Sequence, residues 1–109
     1  MTLTGPGKPR SLTLSTARAE PTLTRLRDGR VVVSGGYKID VDFSWEDTYV
    51  GLAAVEVVDP VRMTVKRVDG LKLARYHHSV LEVAPGRLLV VGGSSQDGAA
   101  IASVEILLV

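Results

Sequence analysis

Cysteine is absent from the 109 residues, which removes disulfides, thiolate metal sites and cysteine nucleophiles in one step. Aromatic residues are scarce, with one Trp, one Phe and three Tyr. Neither sign of charge dominates, since 13 Lys and Arg stand against 12 Asp and Glu; the electrostatic footprint of a nucleic-acid binder is missing. No apolar run approaches the roughly 18 residues of a membrane span. The first ten residues carry Gly5, Pro6, Gly7 and Pro9 and lack the apolar stretch of a secretory signal. These absences point to a soluble, cytoplasmic protein with no nucleic-acid or membrane partner. Amphipathic helices are missing too: apolar residues alternate or run continuously, as strands require. What remains is 45% apolar, enough for the core of one small domain.

The chain repeats itself. Ala17-Arg18 recurs as Ala74-Arg75, Asp28-Gly29-Arg30 as Pro85-Gly86-Arg87, Val31 to Gly36 as Leu88 to Gly93, and Val55-Glu56-Val57 as Val104-Glu105-Ile106. Arg18 to Arg75 spans 57 positions, as does Gly35 to Gly92, whereas Val55 to Val104 spans 49. The first copy therefore carries an eight-residue insertion between its Gly-Gly and its Val-Glu. Repetition of this kind marks stacked or radial architectures.

Each copy reads as a series of short strands. The innermost is expected over 21–26 and 78–83, and a Gly turn follows that suits a hairpin. The second covers 30–34 and 87–91, where unbroken Val and Leu suit burial on both faces. Gly-Gly ends it, a place for a sharp turn or close backbone approach. The third covers 52–58 and 102–108, and Asp59-Pro60 breaks the first of these. The fourth covers 63–68. The domain plan is a flexible segment 1–10, an outer strand over 11–16 that completes a sheet of a neighbouring chain, a first unit 17–73 with an inserted loop 37–51, and a second unit 74–109 without its outer strand.

The recurring Arg, the His78-Ser79 pair, the Gly-Arg turns, the Gly-Gly pairs, the Val-Glu pairs and Asp59-Pro60 together resemble the kelch repeat over about residues 12 to 109. The chain departs from that pattern at Val58 and Leu107, near a usual aromatic, at Met63 or Val65, where a Trp is usual, and at Pro21-Thr22 in place of His-Ser. The resemblance implies an all-β fold, a kelch-type β-propeller with two four-stranded antiparallel blades per chain. Arg75 to Ser79 is also similar to a stretch of the copper oxidases related to galactose oxidase, in which His78 would match a copper-ligating His. That site needs a Tyr–Cys crosslink, which a chain without cysteine cannot form.

Candidate residues cluster by topology. Alternating strand direction brings the insertion and the turns that precede the innermost strands to one face. The insertion holds Tyr37, Trp45 and Tyr49 among Asp40, Asp42, Glu46 and Asp47, four carboxylates against one Lys for a local net charge of −3. Aromatic anchors beside acids suit a contact surface. Arg18, Arg75 and His77 lie on the turns and complete the candidate ligand-binding set. Arg18 and Arg75 also suit pairing with Glu56 and Glu105. The acids lack the spacing of a Ca²⁺ loop, and adjacent His77 and His78 would point to opposite faces of a strand, so no metal or cofactor is expected. No nucleophile elbow or phosphate loop occurs, so no catalytic residue is assigned.

The function expected is a non-catalytic module binding a protein, peptide or small ligand through that face. The alternatives are a propeller enzyme of sugar or small-molecule chemistry, or a structural self-assembling unit or fragment of a longer propeller. Two blades would leave apolar faces bare, so a homo-oligomeric ring is expected, a trimer with six blades first and a tetramer second.

Overall fold

A computed structural model describes residues 7, 9–41, 47–95 and 97–109. Within them the chain is all-β: nine strands in three antiparallel sheets. No helix of the described residues is long and apolar enough to cross a membrane. The first sheet orders β1 (Thr22–Arg25), β2 (Val31–Ser34), β5 (Val55–Asp59) and β6 (Thr64–Val68). The second orders β7 (Ser79–Ala84), β8 (Arg87–Val91) and β9 (Val104–Leu108). Strand order repeats between the two copies as the internal repeat requires.

The insertion departs from the expected loop. Its β3 (Tyr37–Val41) and β4 (Asp47–Gly51) pair into a separate two-stranded ribbon, with Tyr37 opposite Gly51 and Ile39 opposite Tyr49. The signal was present as the alternation Tyr37, Ile39, Val41 against Lys38 and Asp40, the period of a strand with two unlike faces. Residues 11–16, expected as an outer strand, form no strand within the chain. Offset by 57, they correspond to 68–73, the connector that follows β6. The bonds agree: Ser15 donates from its amide and hydroxyl to Glu56 at 2.6 and 2.7 Å, as the Lys72 amide donates to Glu105 at 2.6 Å.

One core joins the two large sheets. Leu26, Val32, Val55 and Val57 of the first pack with Leu71 of the connector and with Leu88, Val90 and Leu107 of the second. β1 and β7 lie side by side at this junction. Period-2 alternation decides which residues enter it: Thr24, Val32 and Val57 stand in one cross-strand row, Leu23, Val33 and Glu56 in the row on the other face. Each fully buried aliphatic side chain contributes about 1.5–3 kcal/mol relative to exposure.

The Gly-Gly pairs serve close approach. Gly35 and Gly36 have φ of 62° and 92°, Gly92 and Gly93 of 66° and 94°. A Cβ at Gly35 would collide with the Arg75 carbonyl and come within 2.6 Å of the His78 ring. This packs the end of β2 against the corner that begins the second copy, where the Gly36 amide donates to the Arg75 carbonyl at 3.0 Å. Gly29 also has positive φ, 95°, but faces open space. Gly29→Ala is therefore expected to cost about 1–2 kcal/mol from backbone conformation alone, and Gly35→Ala about 2 kcal/mol more because backbone must move as well. Urea denaturation of both variants checks this; equal losses would show that the close approach is not what requires Gly35.

Candidate ligand-binding site

The two recurring arginines sit inside the sheets. Arg18 donates from Nη1 to the carbonyls of Gly35 (2.9 Å) and Ala54 (2.8 Å) and from Nη2 to Glu56 (2.7 Å). Arg75 repeats this with Gly92 (2.9 Å), Ser103 (3.2 Å) and Glu105 (2.6 Å). Both guanidinium side chains are 0% exposed. Their donors are engaged by carbonyls and carboxylates of their own copies, which removes Arg18 and Arg75 from the ligand-accessible set. Burial alone would raise the Glu56 pKa, but the Ser15 hydroxyl and amide and the Arg18 charge outweigh it and hold the carboxyl below its ordinary value.

His78 is buried immediately before β7, 5% exposed, with Nε2 2.9 Å from the Ser34 hydroxyl. Its carbonyl accepts from the Thr22 hydroxyl at 2.9 Å. These bonds join the first sheet to the second, as a structural His at the start of an inner strand should. Burial, and then the Arg75 charge, push its pKa down to about 4. Its Nδ1 is buried and has no partner among the described residues, so a second ring proton would find no acceptor among them. Its neighbour His77 points outward and is more than half exposed, so the two rings do not share a site.

What the fold does bring together is an aromatic cup. Glu20, Tyr37, Tyr49, Tyr76 and His77 line a concavity of about 240 Å³. Its members come from the insertion and from the corners preceding β1 and β7, the face expected from strand parity. The Tyr37 ring meets Tyr49 and Tyr76 edge-on, at centroid separations of 5.2 and 5.3 Å, and Tyr76 meets the His77 ring at 4.9 Å. Tyr49 is 48% exposed, and Tyr37 is half-buried. The ribbon is clamped to the corner by paired backbone bonds between Ala19 and Tyr37, 2.7 and 3.0 Å; the second copy repeats the clamp with Tyr76 and Ser94, 3.1 and 2.8 Å.

Glu20 and His77 occupy equivalent corners 57 residues apart, and both adopt left-handed backbone, φ 47° and 56°. Such conformations cost non-glycine residues free energy and persist where the surroundings enforce them. Here the corner turns the two side chains toward each other, and His77 Nε2 donates to the Glu20 carboxylate at 3.0 Å. Hydrogen bonding from the Tyr37 hydroxyl, and next from His77, holds the Glu20 carboxyl below its ordinary value. The same bond raises the Tyr37 pKa. The cup thus presents an ionised carboxylate among three phenol rings.

Of the candidate residues that the sequence suggested, Tyr37, Tyr49 and His77 converge in the cup. Asp40 does not: ribbon alternation sets it on the face opposite Tyr37, Ile39 and Tyr49. Asp42, Trp45 and Glu46 lie outside the described residues. Asp47 begins β4 opposite Val41. Sequence reasoning did not select Glu20 or Tyr76 for the site. Glu20 was findable as the residue 57 positions before His77, but nothing local distinguishes it from a solvated surface acid. Among the described residues, no group of three His, Asp or Glu side chains is placed to hold a metal ion.

The His78 environment gives a signed pH dependence. Between the ordinary His pKa of 6.5 and the folded value of about 4, the unfolded chain binds a proton that the folded chain refuses. Stability is therefore full above this window and falls as pH drops through it, by on the order of 2 kcal/mol. Denaturant midpoints from pH 7.5 to 4.5 check this against His78→Gln, which should flatten that part of the profile; an unchanged slope would assign the dependence to other groups.

No family model matches the chain, and no curated protein matches it in sequence. The functional reading therefore rests on the geometry of the cup.

Proposed function

We propose that the chain is a kelch-type β-propeller unit acting as a non-catalytic binding module, which engages a peptide, protein or small ligand through the face carrying the insertion and the corners before β1 and β7. The observation that carries this reading is the convergence of Glu20, Tyr37, Tyr49, Tyr76 and His77 on one concavity. Five side chains from three separated segments are held there by backbone clamps and two left-handed corners. The propeller part of the reading draws on the repeated strand order and on the repeated Arg–carbonyl–Glu bonding of the two copies.

The chemistry of the cup selects within that ligand class. Phenol rings present negative faces, and the neighbouring carboxylate adds a full negative charge, so a cationic group gains from both. A guanidinium or alkylammonium group on a peptide or small molecule is the complement. The concavity suits one such head group rather than a whole ligand, and the exposed Ile39 and Tyr49 on the same ribbon face extend it with apolar surface.

Titration with an arginine-containing tripeptide and with tetramethylammonium, followed by NMR of the tyrosine rings, tests the reading. Selective shifts of Tyr37, Tyr49 and Tyr76 are expected, with affinity reduced about three- to tenfold in Tyr49→Ala and in Glu20→Gln. Binding should fade as acidification protonates Glu20, whose carboxyl is held low by Tyr37 and His77. Equal shifts with a neutral isostere, or an undiminished response in both variants, would remove the cup as the site.

A further inference from the structure

We infer that the bare face of the second sheet is a docking surface for a second copy of this chain, which presents to it the outer face of its own first sheet. The junction already present inside the chain supplies the pattern. There the first sheet contributes Leu26, Val32, Val55 and Val57. Their repeat counterparts are Val83, Leu89, Val104 and Ile106, and these lie on the opposite, outer face of the second sheet. Register confirms the shared face, since Leu81, Leu89 and Ile106 stand in one cross-strand row and Val91 and Val104 in the next. This face is open: Leu81 and Ile106 are each 64% exposed, Val104 54% and Val83 47%.

The other half of the junction repeats as well. Leu71, Leu88, Val90 and Leu107 complete the internal core. Their counterparts are Leu14, Val31, Val33 and Val58, on the connector and on the outer face of the first sheet, where Leu23 is 65% exposed, Leu14, Val31 and Val58 are half-buried and Val33 is buried. Every member of the internal core thus has an aliphatic counterpart, and the two sets fall on the two outer faces in the same division. One chain cannot bring its own two outer faces together, because its two sheets lie between them. A second copy can, in the head-to-tail manner that closes rings when the rotation fits.

Polar groups follow the same rule. Inside the chain the Gly36 amide donates to the Arg75 carbonyl, the Arg75 amide to the Leu52 carbonyl and the Leu71 amide to the Ala53 carbonyl, at 3.0, 3.2 and 2.8 Å. Across copies the equivalent pairs are Gly93 with Arg18, Arg18 with Ile101 and Leu14 with Ala102. The Ser34–His78 bond becomes an apolar contact of Val91 with Pro21. The bond from the Arg27 amide to Glu82 has no equivalent, because Arg25 stands at the place of Glu82. Glu56, on the outer face of the first sheet, already has Arg18 of its own chain as partner. Residues 11–16 then cross the neighbour's sheet as 68–73 cross the first sheet of their own chain.

The test begins with the unaltered chain, by light scattering and native mass spectrometry over a micromolar dilution series. A particle of a fixed whole number of chains is expected, three for a ring of six sheets; a stable single chain overturns the inference. Ile106→Asp disables the outer face of the second sheet, and Leu23→Asp that of the first, where Leu23 is 65% exposed. Each variant alone should be monomeric with an unchanged far-ultraviolet β spectrum, and their equimolar mixture should form a dimer through the two intact faces. Val61→Asp, on the exposed β5–β6 turn, should assemble as the unaltered chain does. Self-association of Leu23→Asp alone would show a like-to-like contact and overturn head-to-tail docking. Should either variant fail to fold, the mass of the unaltered chain still decides, together with hydrogen exchange: amides of β9 protected on assembly support docking, and amides unchanged between dilute and concentrated samples overturn it.

Discussion

The buried pairing of each repeat arginine with a glutamate two residues into the third strand organises both copies. One guanidinium ties the end of the second strand, the start of the third and the connector behind them, because its planar fork can reach two carbonyls and a carboxylate together. Such a pair contributes little net free energy compared with apolar packing, since both ions lose water. Its value here is geometric. Removal of one partner would leave a charge buried without compensation, at a cost of about 3–5 kcal/mol, so packings of the Gly-Gly corner that separate the pair are disfavoured. Recurrence of the same bonds at Arg75 and Glu105 means that a single local solution serves twice.

The position of the cup follows from that corner. Gly35 and Gly36 allow the chain to turn where a side chain would collide with backbone, and the insertion leaves directly from the turn. Tyr37 is therefore clamped to Ala19, next to Glu20, at the ribbon's first residue pair, where it stands opposite Gly51. The second corner, built identically, aims His77 at Glu20 from the adjacent sheet. Packing of the two sheets through Val32, Val55, Leu88 and Val90 then sets the distance between the corners. The site is a product of the junction between copies, which also explains why its members are so far apart in sequence.

Much of the architecture was readable from the residues. The 57-residue repeat, the continuous Val and Leu of β2 and β8 and the Gly-Gly pairs identified the strands to within two or three residues, because burial pattern and turn chemistry act locally. Strand parity placed the insertion and the corners on one face. The ribbon in the insertion was also encoded in its alternation, but a segment present in only one copy offered no counterpart to compare. Residues 11–16 resemble a strand in composition, and only the bonds of Ser15 to Glu56 reveal them as a connector. Arg18 and Arg75 had two readings, surface ligand contact or internal tie; accessibility separates them, and accessibility is not a local property.

Sequence alone determined the all-β class, the two-copy organisation and the exclusion of cysteine chemistry, because each depends on residue type and spacing along one strand or turn. Tertiary structure decided which polar groups remain available. It enclosed two arginines and His78, turned Asp40 away from the tyrosines, and set Glu20 against His77 across a junction of two sheets. A side chain's solvent exposure and its partners across 57 residues depend on how the sheets stack, and stacking is set by the whole core rather than by the residues that end up in the site.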